Sequence, residues 1–288
     1  MRYYLSIIVI LIMAPLLMAM PANAMVKNMP DGGRFDARYY AERYPDVAGV
    51  YGSDEDSLYA HYLMYGMAEG RLPYRGATGK RGIVITGDSR ANGLIYTLHE
   101  MAGYENTYLC HDGNAVSAIF KKGNIRIVIA GFGGGNLTDH SYDLTLKNAL
   151  ALIGNEYDTS MCESYKFIDL YGLNDVLLHP ETCLIRPSEY ITRDTAFIST
   201  QSTLDKMYHL NAGPISDEGF AHDAIGLTNE TIAEYNKLFT GNDRVRVVNL
   251  FNYLKNNGYK AVITDEDPSG IHYDDATNRK IISLILSL

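Results

Sequence analysis

The sequence predicts an α/β domain built on a parallel sheet covered on both faces. Two observations carry that expectation. Short apolar runs rich in β-branched residues alternate with amphipathic stretches of ten or more residues, the pattern of strands joined by crossover helices. Several of the apolar runs also stop abruptly at glycine, as strands do where a chain turns out of a sheet.

The elements follow in order. Ile83-Val84-Ile85-Thr86 reads as a buried parallel strand, ended by Gly87-Asp88-Ser89-Arg90, and residues 91–101 as a helix. Thr107 to Cys110 reads as a second strand before a turn at 112–114. Ile125 to Ala130 is a third, followed by Gly131-Phe132-Gly133-Gly134-Gly135 and a helix over 141–153. Tyr165 to Leu170 is the strongest strand and runs into Tyr171-Gly172-Leu173-Asn174-Asp175. A helix is expected over 188–205, a strand over 207–210, a helix over 229–239 capped by Thr228, a strand over 245–249 and a helix over 252–257. Ala261 to Ile263 reads as a short edge strand. Asp275 is placed to cap a last helix over 276–286, with Ile281, Ile282, Ile285 and Leu286 on one side.

Two segments precede this domain. Residues 1–24 carry one basic residue, Arg2, an apolar run from Leu5 to Met20, and Ala22-Asn23-Ala24. That is the form of a secretory signal peptide cut after Ala24, and the run is shorter than the ~20 residues a membrane span needs. No second apolar span follows, so the expectation is a secreted, extracellular chain. Residues 25–75 form a tyrosine-rich module: eight of the 23 tyrosines lie between 34 and 74, and there is no Trp. Asp36 can cap a helix over 37–43 that Pro45 stops, and Ser57 one over 58–65 closed by Gly66. Its tyrosines can form the module's own core or stack on the sugars of a cell wall. Residues 76–82 read as a linker, leaving 83–288 as the main domain. The spacing Tyr44-Pro45-Asp46-Val47, His61-Tyr62, Gly66, Glu69-Gly70-Arg71 resembles a module found near the ends of secreted bacterial proteins.

Composition narrows the function. With 288 residues, 47% hydrophobic and 20% charged, the chain is neither disordered nor a multi-span membrane protein. A net charge of −9 without a basic run makes nucleic acid or an anionic membrane surface a poor partner. Three cysteines with no C-x-x-C exclude a zinc ribbon and a dense disulfide framework. Cys110, Cys162 and Cys183 leave two readings: one pair with a free thiol, or three buried thiols acting as small apolar groups, which is the simpler. No histidine spacing forms a zinc-binding pattern.

Three strand-end motifs point to chemistry. Ser89 lies at a sheet mouth and at a helix start, where amide N–H groups favour negative charge. It does not sit in the G-x-S-x-G elbow, because position 91 is Ala. Asn174, in Gly172-Leu173-Asn174-Asp175, can donate a side-chain N–H to a developing oxyanion, although the same letters make an ordinary turn. His272, in Ser269-Gly270-Ile271-His272, can act as a general base, although a solvent-facing or capping histidine would read the same.

Taken in order, the early Gly-Asp-Ser, the middle Gly-x-Asn-Asp and the late Gly-x-His resemble the SGNH or GDSL hydrolases over residues 83–288. The resemblance implies a flavodoxin-like three-layer α/β/α sandwich with a central parallel sheet of about five strands. It implies hydrolysis of carboxylic esters, including lipids and O-acetyl groups on sugars, without metal or cofactor; an exported, acidic chain with a tyrosine-rich module suits O-acetyl esters of polysaccharide or cell-wall glycan better than long-chain lipids. Ser89 would be the nucleophile, His272 the base, and the Ser89 amide, Asn174 and Gly113 the oxyanion donors. The family's Asp three residues before the His is Ser269 here. Asp267, two residues further back and followed by Pro268, is the nearest carboxylate that could orient the imidazole, a task a backbone carbonyl could also perform. That departure leaves a second reading open, a weakly active or inert glycan-binding scaffold at the cell surface.

Overall fold

The computed structural model describes residues 26–30, 34–66, 69, 71–74, 77, 81–137, 140–154, 164–178, 185–200 and 207–288. The signal-peptide segment, most of the linker, Cys162 and Cys183 lie outside them. Among the described residues the main sheet has seven strands: β3 (Arg81–Gly87), β4 (Glu105–Asp112), β5 (Ala115–Lys122), β6 (Ile125–Phe132), β7 (Ser164–Leu170), β8 (Met207–Leu210) and β9 (Val245–Val248), in spatial order β4-β5-β6-β3-β7-β8-β9. The strands β6, β3, β7, β8 and β9 are parallel. Numbered by chain position, those five lie in the order 2-1-3-4-5, the flavodoxin-like winding, with the reversal between β3 and β7. Ligands of such sheets bind at the carboxyl ends of the strands flanking that reversal.

Side chains alternate between the two faces, as strand geometry requires. Ile83, Ile85, Ile127, Ile129, Ile168, Tyr208 and Leu210 join one core. Val84, Val128, Phe167 and Met207 join the other. The first face is covered by α4 (Ser89–Glu100), α10 (Leu250–Asn257) and α11 (Asp275–Ser287), the second by α5 (Ser141–Gly154), α6 (Leu173–Leu178), α7 (Arg186–Ser199) and α9 (Asn229–Asn236). Each buried Ile, Leu or Phe contributes about 1.5–3 kcal/mol to holding these layers together.

The antiparallel edge departs from the purely parallel expectation. β4, β5 and β6 form a meander through two-residue turns at Gly113-Asn114 and Gly123-Asn124, with φ +58° and +55° at the glycines. Gly-Asn between two apolar runs is a hairpin signal. The strand β5, between β4 and β6, makes this edge antiparallel where the sequence pattern predicts a parallel sheet throughout. Cys110 sits exposed on the outer strand β4 as a free thiol, which corrects the reading of it as buried. The expected edge strand over 261–263 is a single bridge, Ala261 to Tyr273. Asp274, not Asp275, caps α11, its side chain accepting from the Thr277 amide.

The N-terminal module holds α1 (Ala37–Arg43), capped by Asp36, α2 (Pro45–Tyr51) and α3 (Glu55–His61), which continues into a π-turn at Tyr62–Gly66. Pro45 stops one helix and starts the next, because its fixed φ suits a first helical position. Asp54, rather than Ser57, caps α3. Phe35, Tyr40, Tyr59 and Tyr62 are buried against one another with ring centroids 5.0–6.3 Å apart, so these tyrosines build the module's own core. That core is continuous with the apolar residues of α4 and α11. Two small strands, β1 (Lys27–Asn28) and β2 (Arg34–Phe35), precede it. No helix among the described residues is long and apolar enough to cross a membrane.

Candidate active site

The loop after β3 delivers Ser89. Gly87 allows the sharp exit: a Cβ there would come within 2.8 Å of Leu170 Cβ and 3.0 Å of Ala91 Cβ. Asp88 is the N-cap of α4, its carboxylate accepting from the Arg90 amide at 2.9 Å. Such a cap is worth about 1 kcal/mol. Burial pushes Asp88 up to about 6, against the pull of nearby Arg90. Ser89, half-buried, stands at the positive end of a twelve-residue helix.

The loop before α11 delivers His272. The Val262 amide donates to His272 O at 2.7 Å, and the Ser216 amide to Gly270 O at 2.9 Å. Gly270 has φ +71°, and a Cβ there would meet Glu218 O at 2.6 Å, so only glycine fits this bend. The result is a continuous chain of polar contacts. His272 Nε2 lies 2.7 Å from Ser89 Oγ, and His272 Nδ1 lies 2.6 Å from Asp267 Oδ2. The turn at Pro268 brings a carboxylate five residues away to the nitrogen that the resemblance assigns to one three residues away. Ser269, in that vacated position, donates its hydroxyl to Asp267 Oδ1 at 2.5 Å. Partial burial raises the Asp267 carboxyl, but the hydrogen bonds from Ser269 and His272 outweigh it and hold it below the usual carboxylate range. Asp267 is therefore ionised near neutral pH and favours Nδ1–H, leaving Nε2 to accept a proton from Ser89. His272 and Asp267 keep 35% and 29% of their side-chain exposure, so solvent reaches the site.

Asn174 arrives on the first turn of α6, directly after β7, rather than in an open turn. Its Nδ2 donates to Gly135 O at 3.0 Å and lies 3.4 Å from Asp88 Oδ2. The second contact is long, so one of its two N–H bonds can serve an oxyanion. The glycine beside Asn174 is thus Gly135, in the loop after β6, the strand next to β3. Gly113 occupies the exposed β4–β5 turn, two strands from β3, which corrects its assignment beside Asn174. That turn touches the Gly133 loop through Asn114 O, which accepts from the Gly133 amide at 2.8 Å. The Gly135 amide donates to Phe132 O at 2.9 Å. A Cβ on Gly135 would press on Tyr171 and Ser141 at 2.9 Å. The run Gly133-Gly134-Gly135 at a strand end was the signal for this loop, and its position one strand over from Ser89 is a tertiary fact.

A second cluster of acids and a histidine lies in the core beneath the mouth. Asp169 on β7, Asp194 on α7 and His209 on β8 are wholly buried, with potential ligand atoms within 4.8 Å of one another. His209 Nδ1 is 3.1 Å from a carboxylate oxygen of each. Tyr142 donates to the other oxygen of Asp194 at 2.5 Å, and Thr86 to that of Asp169 at 3.1 Å. Three ligands could hold a small cation, but a proton on Nδ1 meets the same two carboxylates. Burial alone would lower His209, yet hydrogen bonds with Asp169 and Asp194 raise it to about 9. In this cluster the imidazole, raised by its two partners, lies buried between carboxylates.

No family model and no curated protein matches the sequence. Among solved structures, the chain is similar to a Streptococcus pneumoniae protein described as a platelet activating factor, with 15% identity and a TM-score of 0.41 over 86% of this chain and 95% of that one. It is also similar to a mutant of an acetyl-xylooligosaccharide esterase from Geobacillus, with 12% identity and a TM-score of 0.36 over 74% and 96% of the two chains.

Proposed function

We propose that this chain is a serine esterase acting on small carboxylic esters, with O-acetyl groups on polysaccharide or cell-wall glycan as its substrate class. The observation that carries the reading is the unbroken line from Ser89 Oγ through His272 to Asp267, at 2.7 and 2.6 Å. A serine hydroxyl is a weak nucleophile until a base takes its proton, and that line is the arrangement that does so.

In the proposed reaction, Ser89 Oγ bonds to the ester carbonyl carbon while its proton passes to His272 Nε2. Asn174, the Ser89 amide and the glycine loop after β6 hold the oxyanion. In that loop the amides of Gly133 and Gly135 already donate within the fold. The ester C–O bond then breaks, and the leaving alkoxide takes the proton from His272. Water next gives a proton to His272 and attacks the acyl carbon. The acid departs and Ser89 regains its proton. Asp267 stays ionised and steadies the imidazolium throughout. The exported-type N-terminus supports a substrate outside the cell.

The deciding experiment is hydrolysis of p-nitrophenyl acetate by the wild type and by Ser89→Ala, with fluorophosphonate labelling alongside. The reading expects labelling and turnover in the wild type and neither in the variant. An unlabelled, inactive wild type would favour the inert glycan-binding scaffold.

A further inference from the structure

We propose that Arg90 is the positioning residue that sets the Ser89 to His272 distance. This rests on the esterase reading, since it concerns how that pair is held. Arg90 directly follows Ser89, yet its side chain turns inward and the residue is only 7% exposed. Its Nε donates to Ile271 O at 3.0 Å, and Ile271 directly precedes His272. Besides the direct Ser89 to His272 contact, the reacting pair is therefore joined by a path of one hydrogen bond with a single peptide link on either side. Nη1 donates to Gly213 O at 3.2 Å and Nη2 to Pro214 O at 3.3 Å, in the loop after β8. The guanidinium also lies 4.8 Å from the ring centre of Tyr273, the residue after His272, and the Tyr273 hydroxyl donates to Pro214 O at 2.6 Å. The start of α4, the loop after β8 and the loop before α11 are thus tied to one planar group, whose rigid fork fixes directions as well as distances.

This use of Arg is costly unless orientation matters. A buried guanidinium must be desolvated, and here its direct partners are neutral carbonyls and a ring, with the Asp88 carboxyl nearby. A Lys would keep the charge and lose the fork. A Met would fill the volume and lose both. A shift of about 1 Å between reacting groups can cost about 10²-fold in rate.

The test is a double-mutant cycle on p-nitrophenyl acetate with Arg90→Met, Arg90→Lys, His272→Ala and the combined variants, each checked by thermal melting. Arg90→Met is expected to lower kcat about 100-fold with KM within about threefold, and Arg90→Lys to recover part of that. His272→Ala should cost about 10³-fold in the wild-type background but under about tenfold in the Arg90→Met background, because a misplaced base has little left to lose. Multiplicative losses, or an Arg90→Met kcat within about threefold of wild type, would overturn the proposal. If Arg90→Met does not fold, the same cycle is read with Arg90→Lys and with Tyr273→Phe, and equal His272→Ala penalties in every background overturn it. Ser89→Ala separates the two failures. Full turnover in Ser89→Ala sinks the esterase reading, whereas a dead Ser89→Ala with a fully active Arg90→Met sinks only the role of Arg90.

Discussion

His272 and His209 both contact carboxylates, and they differ in what the remaining nitrogen meets. His272 sits at the rim with Nδ1 on Asp267 and Nε2 on the Ser89 hydroxyl. His209 sits in the core with Nδ1 between Asp169 and Asp194, while Nε2 has no hydrogen-bond partner among the described residues and the ring stacks on Phe239 at 4.6 Å. The same side chain faces a serine hydroxyl at the rim in one place and two carboxylates in the core in the other. Access and the second partner make the difference, not the presence of an acid beside a histidine.

The sharpest way to break that comparison is at the rim. Ser89→Ala should lower kcat by about 10⁴-fold or more, with a melting temperature near that of the wild type. Activity surviving that change would make the two histidines alike. Asp267→Asn keeps the shape but no longer favours the right tautomer, so kcat should fall on the order of 10³-fold with little change in KM. Steady-state kinetics on the same ester checks both.

The core predicts the opposite signature. His209→Gln leaves two buried carboxylates facing one another, and breaking such a pair costs about 3–5 kcal/mol of folding stability. Urea unfolding should register the loss, while kcat per folded molecule stays within about tenfold of wild type. The pH dependence follows from the same group. Its folded value near 9 lies above the ordinary histidine value of 6.5, so its stabilisation is fully present below about 6.5 and is lost as pH rises through about 9. The wild-type melting temperature should fall between pH 7 and pH 10, and the part of that fall due to His209 should vanish in His209→Gln. The smallest effect belongs to Ser269→Ala, which removes one of the three hydrogen bonds holding Asp267 low, the others coming from His272 and the Ser269 amide. A drop of about tenfold in kcat is expected, with a carboxylate that protonates at a higher pH in the acid limb of the rate profile.

Much of the main domain was legible from periodicity. The strands around Ile83, Ile127, Ile168 and Tyr208 announce themselves because a parallel strand is apolar on both sides. The hairpin strand β5 was harder: its neighbours are antiparallel and its turn is two residues long, so Ala115 to Lys122 lacks the crossover helix that marks the rest. In the module, Asp36 and Pro45 were readable as local punctuation, but the helix that Pro45 begins and the Asp54 cap were not. At the site, Ser89, Asn174 and His272 stand out in the sequence because each follows or approaches an expected strand end, although the fold sets His272 in the loop between α10 and α11. Gly113 lies in the Gly-containing turn nearest along the chain, and the strand order puts the Gly133 loop beside Asn174 instead. No local rule foretells that Asp169, Asp194 and His209 meet, since they come from two strands and a helix.

Local chemistry along the chain settled which residues could carry charge, turn the backbone or start a helix: Gly87 and Gly270 at bends, Asp88 at a cap, apolar runs that demand burial. Only the folded sheet decided which strand ends share a rim, that a turn at Pro268 returns Asp267 to the imidazole, and that Arg90 points inward to the carbonyl beside His272. The reason is physical. Propensity and capping act over a few residues, whereas these contacts span as many as 183 positions and exist only once burial of both sheet faces has fixed the order of the strands.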